Sequence, residues 1–432
     1  RRGYETGVRL LITVDCGITA KKEIQEARDH GMDVIILDHH RLPSGGLPPA
    51  NIILNPLQLD CPYPFKELSA AGLAFKLSQA LLGDRAFELL DLAALSTVCD
   101  VAPLQDENRI IVKFGLEQMA KRKNPGLRAL AGAAKLKGRE INVGHLGFVF
   151  GPRINAAGRM SSPEIALQLL LTDQEREAES LAQVLEEENK ARRAEEQKVL
   201  REAVKEVERA FNFNRDRVIV IGREGWHQGV IGIVAARLVD KFHRPAVVIA
   251  FEKGRGKGSG RSIKKFNLFE ALSACSGYFE EFGGHAQAAG LVMKENHLKD
   301  FREEINDYAR ENCTAEMFKK EIMVDLEIRL DDLKASFIQE LKLLEPHGAG
   351  NPRPVFRSRG LHFKGRPTYL SPQTIQIWVT DGSFVGEGIL GNVDKMTIAR
   401  LQASRTFDLT YSIKTKTWDG LERLSLEIKE IL

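Results

Sequence analysis

The runs LLITVDCG, residues 10–17, and VIILDHH, residues 34–40, decide the first part of the fold, because each is an apolar, β-branched stretch that leads into an acidic residue. The segment between them, KKEIQEARDHGMD, predicts one short helix that ends at Gly31. The order strand, helix, strand predicts a parallel βαβ unit, and its crossover is expected to be right-handed.

Acidic and imidazole side chains follow both predicted strands. Parallel strands bring their carboxyl ends to one edge of a sheet, and ligands bind outside that edge. Asp15 follows the first strand, and Asp38, His39 and His40 follow the second. Carboxylates and imidazoles at one edge suit a divalent ion such as Mg²⁺ or Mn²⁺. The alternative is that the two aspartates are turn residues and the histidines belong to a solvated loop.

The bulk composition is that of an ordinary globular protein. The 432 residues predict two to four domains, and a content of 43% apolar and 28% charged residues is typical of such chains. A formal net charge of +3 does not by itself indicate a partner. Five cysteines without a CxxC pair fit neither a disulfide framework nor a zinc site, and reduced thiols favour the cytoplasm. No apolar run is long enough to span a bilayer, and no signal peptide is recognisable.

The chain begins at Arg1 rather than at Met, and its first strand starts within ten residues. A parallel sheet has both of its faces covered and usually contains more strands than the two found up to Asp38. We therefore expect that an amino-terminal part of the sheet precedes Arg1.

The middle of the chain is predicted to be largely helical. One apolar run ends at Asp100 in VCDVAPL, and GFVFGPRINAAGRM, residues 147–160, is expected to be a loop rich in Gly and Arg. Residues 173–211 contain neither Gly nor Pro and predict one long helix, whose apolar residues cluster at its two ends. We expect this helix to dock at both ends, to cross solvent between them and to connect two domains.

Beyond the long helix the pattern changes twice. Residues 212–316 alternate between strands and helices, as in an α/β layer, and include the basic, Gly-rich stretch EKGRGKGSGRSIKK. From Lys319 onward shorter β-type runs follow, interrupted by one helix, LKASFIQELKLL. About five strands separated by turn residues fit a small barrel such as an OB-fold.

The first candidate site is the cluster of Asp15, His39 and Asp100, with His40 beside it. Two divalent ions a few ångströms apart could activate a water there and hold a phosphoryl oxygen during in-line attack. His40 could then donate to a non-bridging phosphate oxygen instead of binding metal. Three protein ligands are too few for two ions, so either water or carboxylates from an amino-terminal part would complete the site.

The second candidate is an anion pocket rich in Arg and Gly. Glycine lets backbone N–H groups approach a phosphate, and Arg makes bidentate contacts with it. The alternative is that residues 253–265 form a flexible basic loop and that the histidine is an ordinary turn residue. The candidate residues are Arg153, Arg159, Ser259, Arg261 and the predicted turn Gly283, Gly284 and His285.

The third candidate is the carboxy-terminal barrel, where aromatic residues are interleaved with Lys and Arg. Stacking together with phosphate contacts is how OB-folds hold single strands, although several of these rings are expected in the core. The aromatic residues are Phe356, Phe363, Tyr369 and Trp378. The sequence contains no Walker A loop, no GxSxG elbow and no dinucleotide fingerprint.

Taken together, these motifs resemble the DHH phosphoesterase superfamily and, within it, the RecJ family of single-strand-specific 5′→3′ exonucleases. The segments that carry the resemblance occur in the family's order across essentially the whole chain. They are LLITVDCGI, VIILDHH, STVCDVAPL, GPRINAAGRM, REGWHQGVIGIVAARL, SGRS, FGGHAQAAG and EPHGAGNPRPVF.

The resemblance implies an α/β protein with a parallel-sheet DHH catalytic domain at residues 1–172 that lacks its amino-terminal portion. A connecting helix at 173–211, an α/β DHH-associated, substrate-binding domain at 212–316 and an OB-fold β-barrel at 317–432 would follow. It also implies a two-ion site for Mn²⁺ or Mg²⁺, and release of 5′-mononucleotides from single-stranded DNA in repair and recombination. The implied partners are single-stranded DNA, a single-strand-binding protein and a helicase, with no membrane contact, and we expect the protein to be a monomer in the cytoplasm.

By motif position, the resemblance makes Asp15, His39 and Asp100 metal ligands and His40 a contact to the scissile phosphate. The remaining residues of the pattern would bind the substrate: Ser259 and Arg261 at the 5′ end of the strand, and Arg153, Arg159, Gly284 and His285 along its path.

Three departures from the family pattern bear on function. The acidic strand end that forms the family's first motif is absent from this sequence, so we expect the chain as given to bind metal poorly and to cleave slowly or not at all. Gln228 stands where Pro is usual, which predicts a looser turn before the next helix. His347 stands where an aromatic residue is common, and the pattern assigns it no role.

Two other functions are compatible with the sequence. One is a DHH phosphodiesterase that acts on short oligonucleotides or cyclic dinucleotides, although such substrates need no extended barrel to bind them. The other is a catalytically inert single-strand-binding fragment or scaffold. Substitution of Asp15 or His39 by Ala separates the catalytic hypotheses from the inert one.

Overall fold

The computed structural model describes residues 2–160, 162–391, 393, 406–418 and 421–432, except for the side chains of residues 2, 159, 160, 416–418 and 421–423. The contacts divide the chain into two compact units. The first consists of residues 1–123, 139–151 and 322–432, and the second of residues 124–138 and 152–321. None of the described helices is long and apolar enough to cross a bilayer.

The first unit begins with the predicted βαβ unit, extended by one strand. Its elements are helix α1, Arg2–Glu5; strand β1, Leu10–Val14; helix α2, Lys21–Asp29; strand β2, Asp33–Leu37; and strand β3, Ile52–Leu54. All pairings are parallel, in the order β1-β2-β3, and Val14 pairs with Leu37, so Asp15 and Asp38 leave the sheet at the same edge. On β1 the side chains of Leu10, Ile12 and Val14 are 46 to 48% exposed. The expectation that further strands belong to this sheet stays a prediction.

A helical hairpin in the first unit carries Asp100. The helices that follow β3 are α3, Ala70–Leu82; α4, Leu90–Cys99; α5, Asp106–Ala120; α6, Pro125–Ala133, which belongs to the second unit; and the short α7, Val143–His145, which belongs to the first. Asp100 is the residue that caps the carboxyl end of α4. Helices α4 and α5 pack closely because Gly115 has no side chain: a Cβ atom there would lie 2.3 Å from Ala94 Cβ and 2.4 Å from the Leu90 carbonyl oxygen.

The expected loop at residues 147–160 is helical, so that prediction is wrong. A π-helical turn, Leu146–Phe150, continues into helix α8, Gly151–Met160. Phe150, Ala156 and Ala157 are buried. A Cβ atom on Gly151 would lie 2.6 Å from Cys99 Sγ, so this glycine serves close packing rather than loop flexibility.

The predicted long helix is present, but its middle does not cross solvent. Helix α9, Glu164–Leu171, precedes α10, Glu175–Ala210. In the middle of α10, Asn189 and Arg192 are at most 7% exposed. They are polar, so the sequence pattern of apolar residues did not reveal that this stretch is packed.

The second unit contains an α/β layer whose sheet has helices on both faces. After α10 the elements are β4, Ile219–Glu224; α11, Ile231–Phe242; β5, Ala246–Glu252; β6, Arg255–Arg261; α12, Leu268–Ala274; β7, Phe279–His285; β8, Ala288–Lys294; and α13, Leu298–Asn312. The strand order is β4-β5-β6-β8-β7, with only β4 and β5 parallel. One core lies against α12 and α13, and the other against α10 and α11.

The Gly-rich basic stretch is strand β6 at the centre of this sheet, not a flexible loop. Its three even-numbered glycines, at positions 256, 258 and 260, are buried, and Cβ atoms there would meet Phe251, Leu291 and Leu268 at 2.3 to 2.6 Å. The alternating residues Arg255, Lys257, Ser259 and Arg261 fall on the opposite face. The alternation in RGKGSGR is therefore a strand signal, and the alternative of a flexible basic loop is wrong for residues 255–261.

The carboxy-terminal part of the first unit is mostly β-structure. Its elements are β9, Leu326–Glu327; helix α14, Ala335–Lys342; and strands β10, Phe356–Phe363; β11, Thr368–Ser371; β12, Thr374–Thr380; β13, Val385–Gly391; β14, Phe407–Trp418; and β15, Leu421–Ile431. Pairing runs β12-β13-β15-β14-β10 and returns through a short β10–β12 contact. Among the predicted stacking residues, Phe356 is buried and Phe363 packs on Phe407, whereas Tyr369 and Trp378 are exposed.

We predict that Gly115→Ala destabilises the first unit, because the new methyl group overlaps helix α4. Overpacking of this kind costs about 1–3 kcal/mol of unfolding free energy. Gly132→Ala is the matched control: it is also a helical glycine, but a Cβ atom there would meet no atom within 4 Å. The control should gain about 0.5–1 kcal/mol from helix propensity. Chemical denaturation measures both, and equal effects of the two substitutions would contradict the close packing of α4 and α5.

Candidate metal centre and anion site

The three residues predicted to bind metal lie together at the carboxyl edge of the β1-β2-β3 sheet. His39 Nε2 is 3.2 Å from Asp15 Oδ1 and 3.6 Å from Asp100 Oδ2. One possible ligand atom each from Asp15, His39 and His40 lies within 4.8 Å of the other two. Within the part of the chain that the structure describes, no other group of three or more His, Cys, Asp or Glu side chains comes as close together.

The backbone turns sharply at both carboxylates of this cluster. Asp15 has a φ of 62°, a left-handed conformation that Asp tolerates better than most residues, and its N–H donates to the Leu37 carbonyl oxygen at 3.0 Å. Asp100 ends helix α4, and Val101 after it has a φ of 59°. For a β-branched residue this conformation is strained.

Asp38 has a structural role in this site that the sequence pattern did not reveal. Its side chain is 1% exposed, and one carboxylate oxygen accepts the Ile18 N–H at 3.0 Å. The other oxygen accepts the His40 N–H at 3.1 Å and lies 2.6 Å from His40 Nδ1. The available signal was that this Asp directly follows the apolar run VIIL, where a carboxylate needs nearby donors.

The hydrogen bond between Asp38 and His40 shifts the pKa values of both residues. Burial by itself would raise the pKa of the Asp38 carboxyl, but the N–H groups of Ile18 and His40 together with the His40 ring hold that pKa below its usual value. The hydrogen bond to Asp38 raises the pKa of His40, against the opposing effect of burial, and the charges of Asp15 and Asp100 raise it further.

The electrostatics of Asp100 fit a cation at this edge. Burial raises the pKa of the Asp100 carboxyl, and the charge of Asp15 raises it further, while His39 partly offsets both effects. A divalent ion beside the Asp100 carboxyl would favour its ionised form and offset the effects of burial and of the Asp15 charge. Carboxylate oxygens with one imidazole nitrogen are a donor set that Mn²⁺ and Mg²⁺ accept.

In the second unit, Ser259 and Arg261 of β6 lie beneath the start of helix α11. Arg261 Nη1 donates to Ser259 Oγ at 3.1 Å and to the Gly260 carbonyl oxygen at 2.8 Å. A Cβ atom on Gly232, in the first turn of α11, would lie 3.0 Å from Ser259 Oγ and 3.1 Å from Arg261 Nη2. A guanidinium, a hydroxyl and the amino terminus of a helix together favour an anion such as a phosphate.

His285 lies on the same face of this sheet as Arg261. Across the three neighbouring strands, Arg261 pairs with Ala288, and Ala288 pairs with His285. Because the side chain of Ala288 is small, it leaves open space on the sheet between Arg261 and His285. Two strand spacings separate Arg261 and His285 at about 9–10 Å. Sheet pairing thus brings together residues that the sequence could place only on separate motifs.

Gly283, Gly284 and His285 end strand β7, so the prediction that they form the turn is wrong. The turn follows them, at Ala286 and Gln287, and His285 Nδ1 accepts the Gln287 N–H at 3.3 Å. Gly284 has a φ of 143°, and a Cβ atom there would lie 2.4 Å from the Ala288 carbonyl oxygen, so no other residue fits. The glycine is required by the close approach of the hairpin strands.

Arg153 and Arg159 of the predicted anion pocket belong to helix α8, whereas the other pocket residues belong to the sheet. Arg153 is 6% exposed, and its Nε donates to Glu186 of α10 at 2.7 Å. The side chain of Arg159 lies outside the described residues. The predicted role of both arginines along a substrate path stays a prediction.

The two unusual positions of the sequence both lie in turns. Gln228 is exposed in the turn before α11, which is closed by the Val230 N–H donating to the His227 carbonyl oxygen at 3.1 Å. His347 is partly buried, and burial holds its pKa below the usual value. The Nδ1 atom of His347 is buried and has no hydrogen-bond partner among the described residues.

Three family models match the chain in sequence order. The DHH family N-terminal domain matches residues 3–97, the DHHA1 domain residues 215–311, and the RecJ OB domain residues 324–430. These matches confirm the predicted order of a DHH, a DHH-associated and an OB domain. The predicted domain boundaries stay predictions.

Relatives named single-stranded-DNA-specific exonuclease RecJ are similar over most of the chain. The Bacillus subtilis protein is 44% identical over 81% of this chain, which corresponds to 44% of the relative's length. The Escherichia coli protein is 33% identical over 100% of this chain and 78% of its own length. The solved structure of Thermus thermophilus RecJ in complex with Mn²⁺ has a TM-score of 0.85 and 30% identity, and the match covers 100% of this chain and 62% of the Thermus chain. The chain thus spans 44% of the first relative and 62% of the solved structure.

We predict that Asp38→Asn lowers the pKa of His40 in the metal-free protein. The raised pKa means that the ion pair adds stability below the ordinary histidine value of ~6.5, and that this stability is lost as the pH rises through the raised value. The lowered pKa of Asp38 means that its contribution is lost as the pH falls through that lower value. NMR titration of the imidazole and melting temperature as a function of pH measure both effects. Asp33→Asn, at the other end of β2, is the control, and an unchanged His40 titration in Asp38→Asn would contradict the contact.

Proposed function

The chain belongs to the RecJ family of single-stranded-DNA-specific exonucleases, and we propose on this basis that it hydrolyses phosphodiester bonds of single-stranded DNA from the 5′ end. The observation that carries the proposal is the Asp15, His39 and Asp100 cluster at one sheet edge, with His40 beside it. The proposed products are 5′-mononucleotides, and the proposed setting is DNA repair and recombination. Proposed protein partners are a single-strand-binding protein and a helicase.

We propose that Asp15, His39 and Asp100 hold Mn²⁺ or Mg²⁺ as part of a two-ion site. When bound, the ions would lower the pKa of a water and withdraw charge from a phosphoryl oxygen. The chain's own residues fix the geometry: the parallel register sets Asp15 against His39, and the end of helix α4 sets Asp100. The solved Thermus structures with Mn²⁺ and with Mg²⁺ support this choice of ions.

His40 is proposed to contact the scissile phosphate. Its Nδ1 is engaged by Asp38, so Nε2 is the ring nitrogen that is left to donate to a phosphate oxygen. The raised pKa of His40 favours the protonated, positively charged ring. A charged donor that Asp38 already orients stabilises negative charge as it develops on the phosphate.

Ser259, Arg261 and the first turn of α11 are proposed to bind the 5′ end of the strand, and Gly284 and His285 to line its path with Arg153 and Arg159. The supporting observations are that Arg261 Nη1 donates to Ser259 Oγ at 3.1 Å and that a Cβ atom on Gly232 would lie 3.0 to 3.1 Å from these two side chains. Tyr369 and Trp378 are proposed to stack on bases, because these residues are 59% and 43% exposed. The buried Phe356 cannot do so.

We predict that Asp15→Ala and His39→Ala each lower the rate of single-strand cleavage by roughly 10²-fold or more, because each removes charge-stabilising contacts at the reacting phosphate. The assay uses the whole protein with Mn²⁺ and 5′-labelled single-stranded and duplex oligonucleotides. Asp29→Ala, on the surface of α2, is the control and should leave the rate unchanged. Equal degradation of single-stranded and duplex DNA would refute the proposal, and faster hydrolysis of a cyclic dinucleotide would favour the phosphodiesterase alternative. Activity that withstands both alanine substitutions would place the chemistry elsewhere.

We predict that Arg261→Ala reduces the preference for a 5′-phosphate over a 5′-hydroxyl end by about 10-fold, since a charge-assisted hydrogen bond contributes about 1.5–3 kcal/mol. Arg255→Ala is the matched control, because Arg255 lies on the same strand but pairs with Glu280 at 2.7 Å. The measurement is the ratio of kcat/KM for oligonucleotides with the two kinds of 5′ end. A loss of the same size for both ends would show that Arg261 does not bind the terminal phosphate.

A further inference from the structure

The loop that follows Asp100 is strained at two positions. Val101 has a φ of 59° and Asp106 a φ of 42°, although neither residue is glycine. Such conformations cost about 1–3 kcal/mol each and persist only where the surroundings hold them. The strained loop carries one of the three proposed metal ligands at its first position, so whatever holds the loop also positions that carboxylate.

Some of the contacts that hold the strained loop come from helices α4 and α5 on either side of it. The Ala102 N–H donates to the Thr97 carbonyl oxygen at 3.2 Å, and Asn108 Nδ2 donates to the Pro103 carbonyl oxygen at 3.1 Å. Leu104 is 2% exposed in a small core between α4 and α5. These contacts fix the inner side of the loop.

The outer side of the loop is held by a turn from the far end of the sequence, residues 343–351, which follows helix α14. The Leu104 N–H donates to the Ala349 carbonyl oxygen at 2.6 Å, and Gln105 Nε2 donates to the Gly350 carbonyl oxygen at 2.8 Å. These are contacts within the first unit.

Arg109 of α5 extends the same contact. Its Nη2 donates to the carbonyl oxygens of Leu343 and Glu345, the latter at 2.9 Å. Leu343 caps the carboxyl end of α14, where unpaired carbonyl groups carry partial negative charge. A guanidinium is therefore well suited to hold this end of the turn.

The turn fits the loop because its glycines have no side chains. A Cβ atom on Gly348 would lie 2.6 Å from Leu104 Cδ1, and one on Gly350 would lie 2.9 Å from Pro103 Cβ. The turn keeps its own shape because Asn351 Nδ2 donates to the Leu344 and Pro346 carbonyl oxygens at 2.8 and 3.0 Å. This explains why the segment EPHGAGN contains two glycines and an asparagine.

We propose that the turn at residues 343–351 is a positioning element of the metal edge, and that Arg109 is a positioning residue for Asp100. The turn closes the outer side of the strained loop and keeps the Asp100 carboxylate within reach of His39. The carboxy-terminal domain thereby contributes to metal binding as well as to the binding of the strand. This inference rests on the proposed metal-binding function of Asp15, His39 and Asp100.

The test compares Arg109→Ala, Arg109→Lys and Gly348→Ala with two controls. Arg217→Ala removes another arginine that donates to two backbone carbonyl oxygens, those of Phe213 and Asn214. Gly391→Ala adds a methyl group in the same carboxy-terminal domain, where no atom lies within 4 Å. Two quantities are measured on the whole protein: hydrogen exchange at the Ala102 amide without metal, and Mn²⁺ affinity by titration calorimetry.

We expect Arg109→Ala and Gly348→Ala to speed exchange at Ala102 and to weaken Mn²⁺ binding by about 10-fold, as loss of a group that orients a metal ligand does. Arg109→Lys should recover part of both effects, and both controls should match the unmodified protein. Cleavage by Arg109→Ala should be restored by raised Mn²⁺, with KM for DNA unchanged.

Three results would overturn the positioning role. Exchange at Ala102 that is unaffected by both substitutions would show that the turn does not hold the loop. Faster exchange with unchanged Mn²⁺ affinity would show that the loop does not serve the metal. A higher KM for DNA that raised Mn²⁺ does not correct would assign the turn to strand binding alone. An unmodified protein that bound Mn²⁺ but did not cleave DNA would instead refute the proposed function, and exchange at Ala102 would still decide whether the turn holds the loop.

Discussion

The buried carboxylate of Asp38 is the contact on which the candidate metal centre depends. It accepts the Ile18 N–H from the loop after β1 and both the N–H and the ring of His40 from the loop after β2. One side chain therefore joins the two loops that carry Asp15 and His39. A buried carboxylate without donors would be costly by several kcal/mol. These hydrogen bonds therefore couple the arrangement of the two loops to the burial of the ionised carboxylate.

The remaining proposed ligand, Asp100, is placed by packing rather than by strand pairing. Helix α4 delivers it to the sheet edge, and the close α4–α5 contact at Gly115 fixes the hairpin to which it belongs. The strained backbone at Val101 then turns the chain away immediately after the carboxylate. The metal edge is thus assembled from a local element, the βαβ unit, and from a non-local one, the helical hairpin with its covering turn.

The candidate anion site of the second unit depends on small residues, which leave space for a phosphate beside the charged side chains. On β6 the glycines face the core, so that Ser259 and Arg261 share the opposite face. Ala288 lies between Arg261 and His285 on that face, and Gly232 lets helix α11 begin directly above the guanidinium. Charge without this space would not produce a phosphate site, since a phosphate needs close approach to its donors.

The sequence by itself determined the features that depend on neighbouring residues. Two apolar runs that end in Asp15 and in Asp38 predict a parallel pair of strands, and parallel pairing brings Asp15 and His39 to one edge whatever surrounds them. The absence of Gly and Pro predicts helix α10, whose bounds differ from the predicted ones by no more than two residues at either end. The order of the domains follows from motifs that the family models match.

Tertiary structure alone decided what depends on residues far apart in the chain. The helical segment at residues 147–160 brings Gly151 against Cys99, and Glu186 of α10 pairs with Arg153, 33 positions away. Gln105 and Gly350 are 245 positions apart, yet their contact helps to hold the loop after Asp100. Local patterns of hydrophobicity record which face of an element is buried. They do not record which distant residue covers it, because that choice is made by shape and hydrogen bonding after the elements have formed.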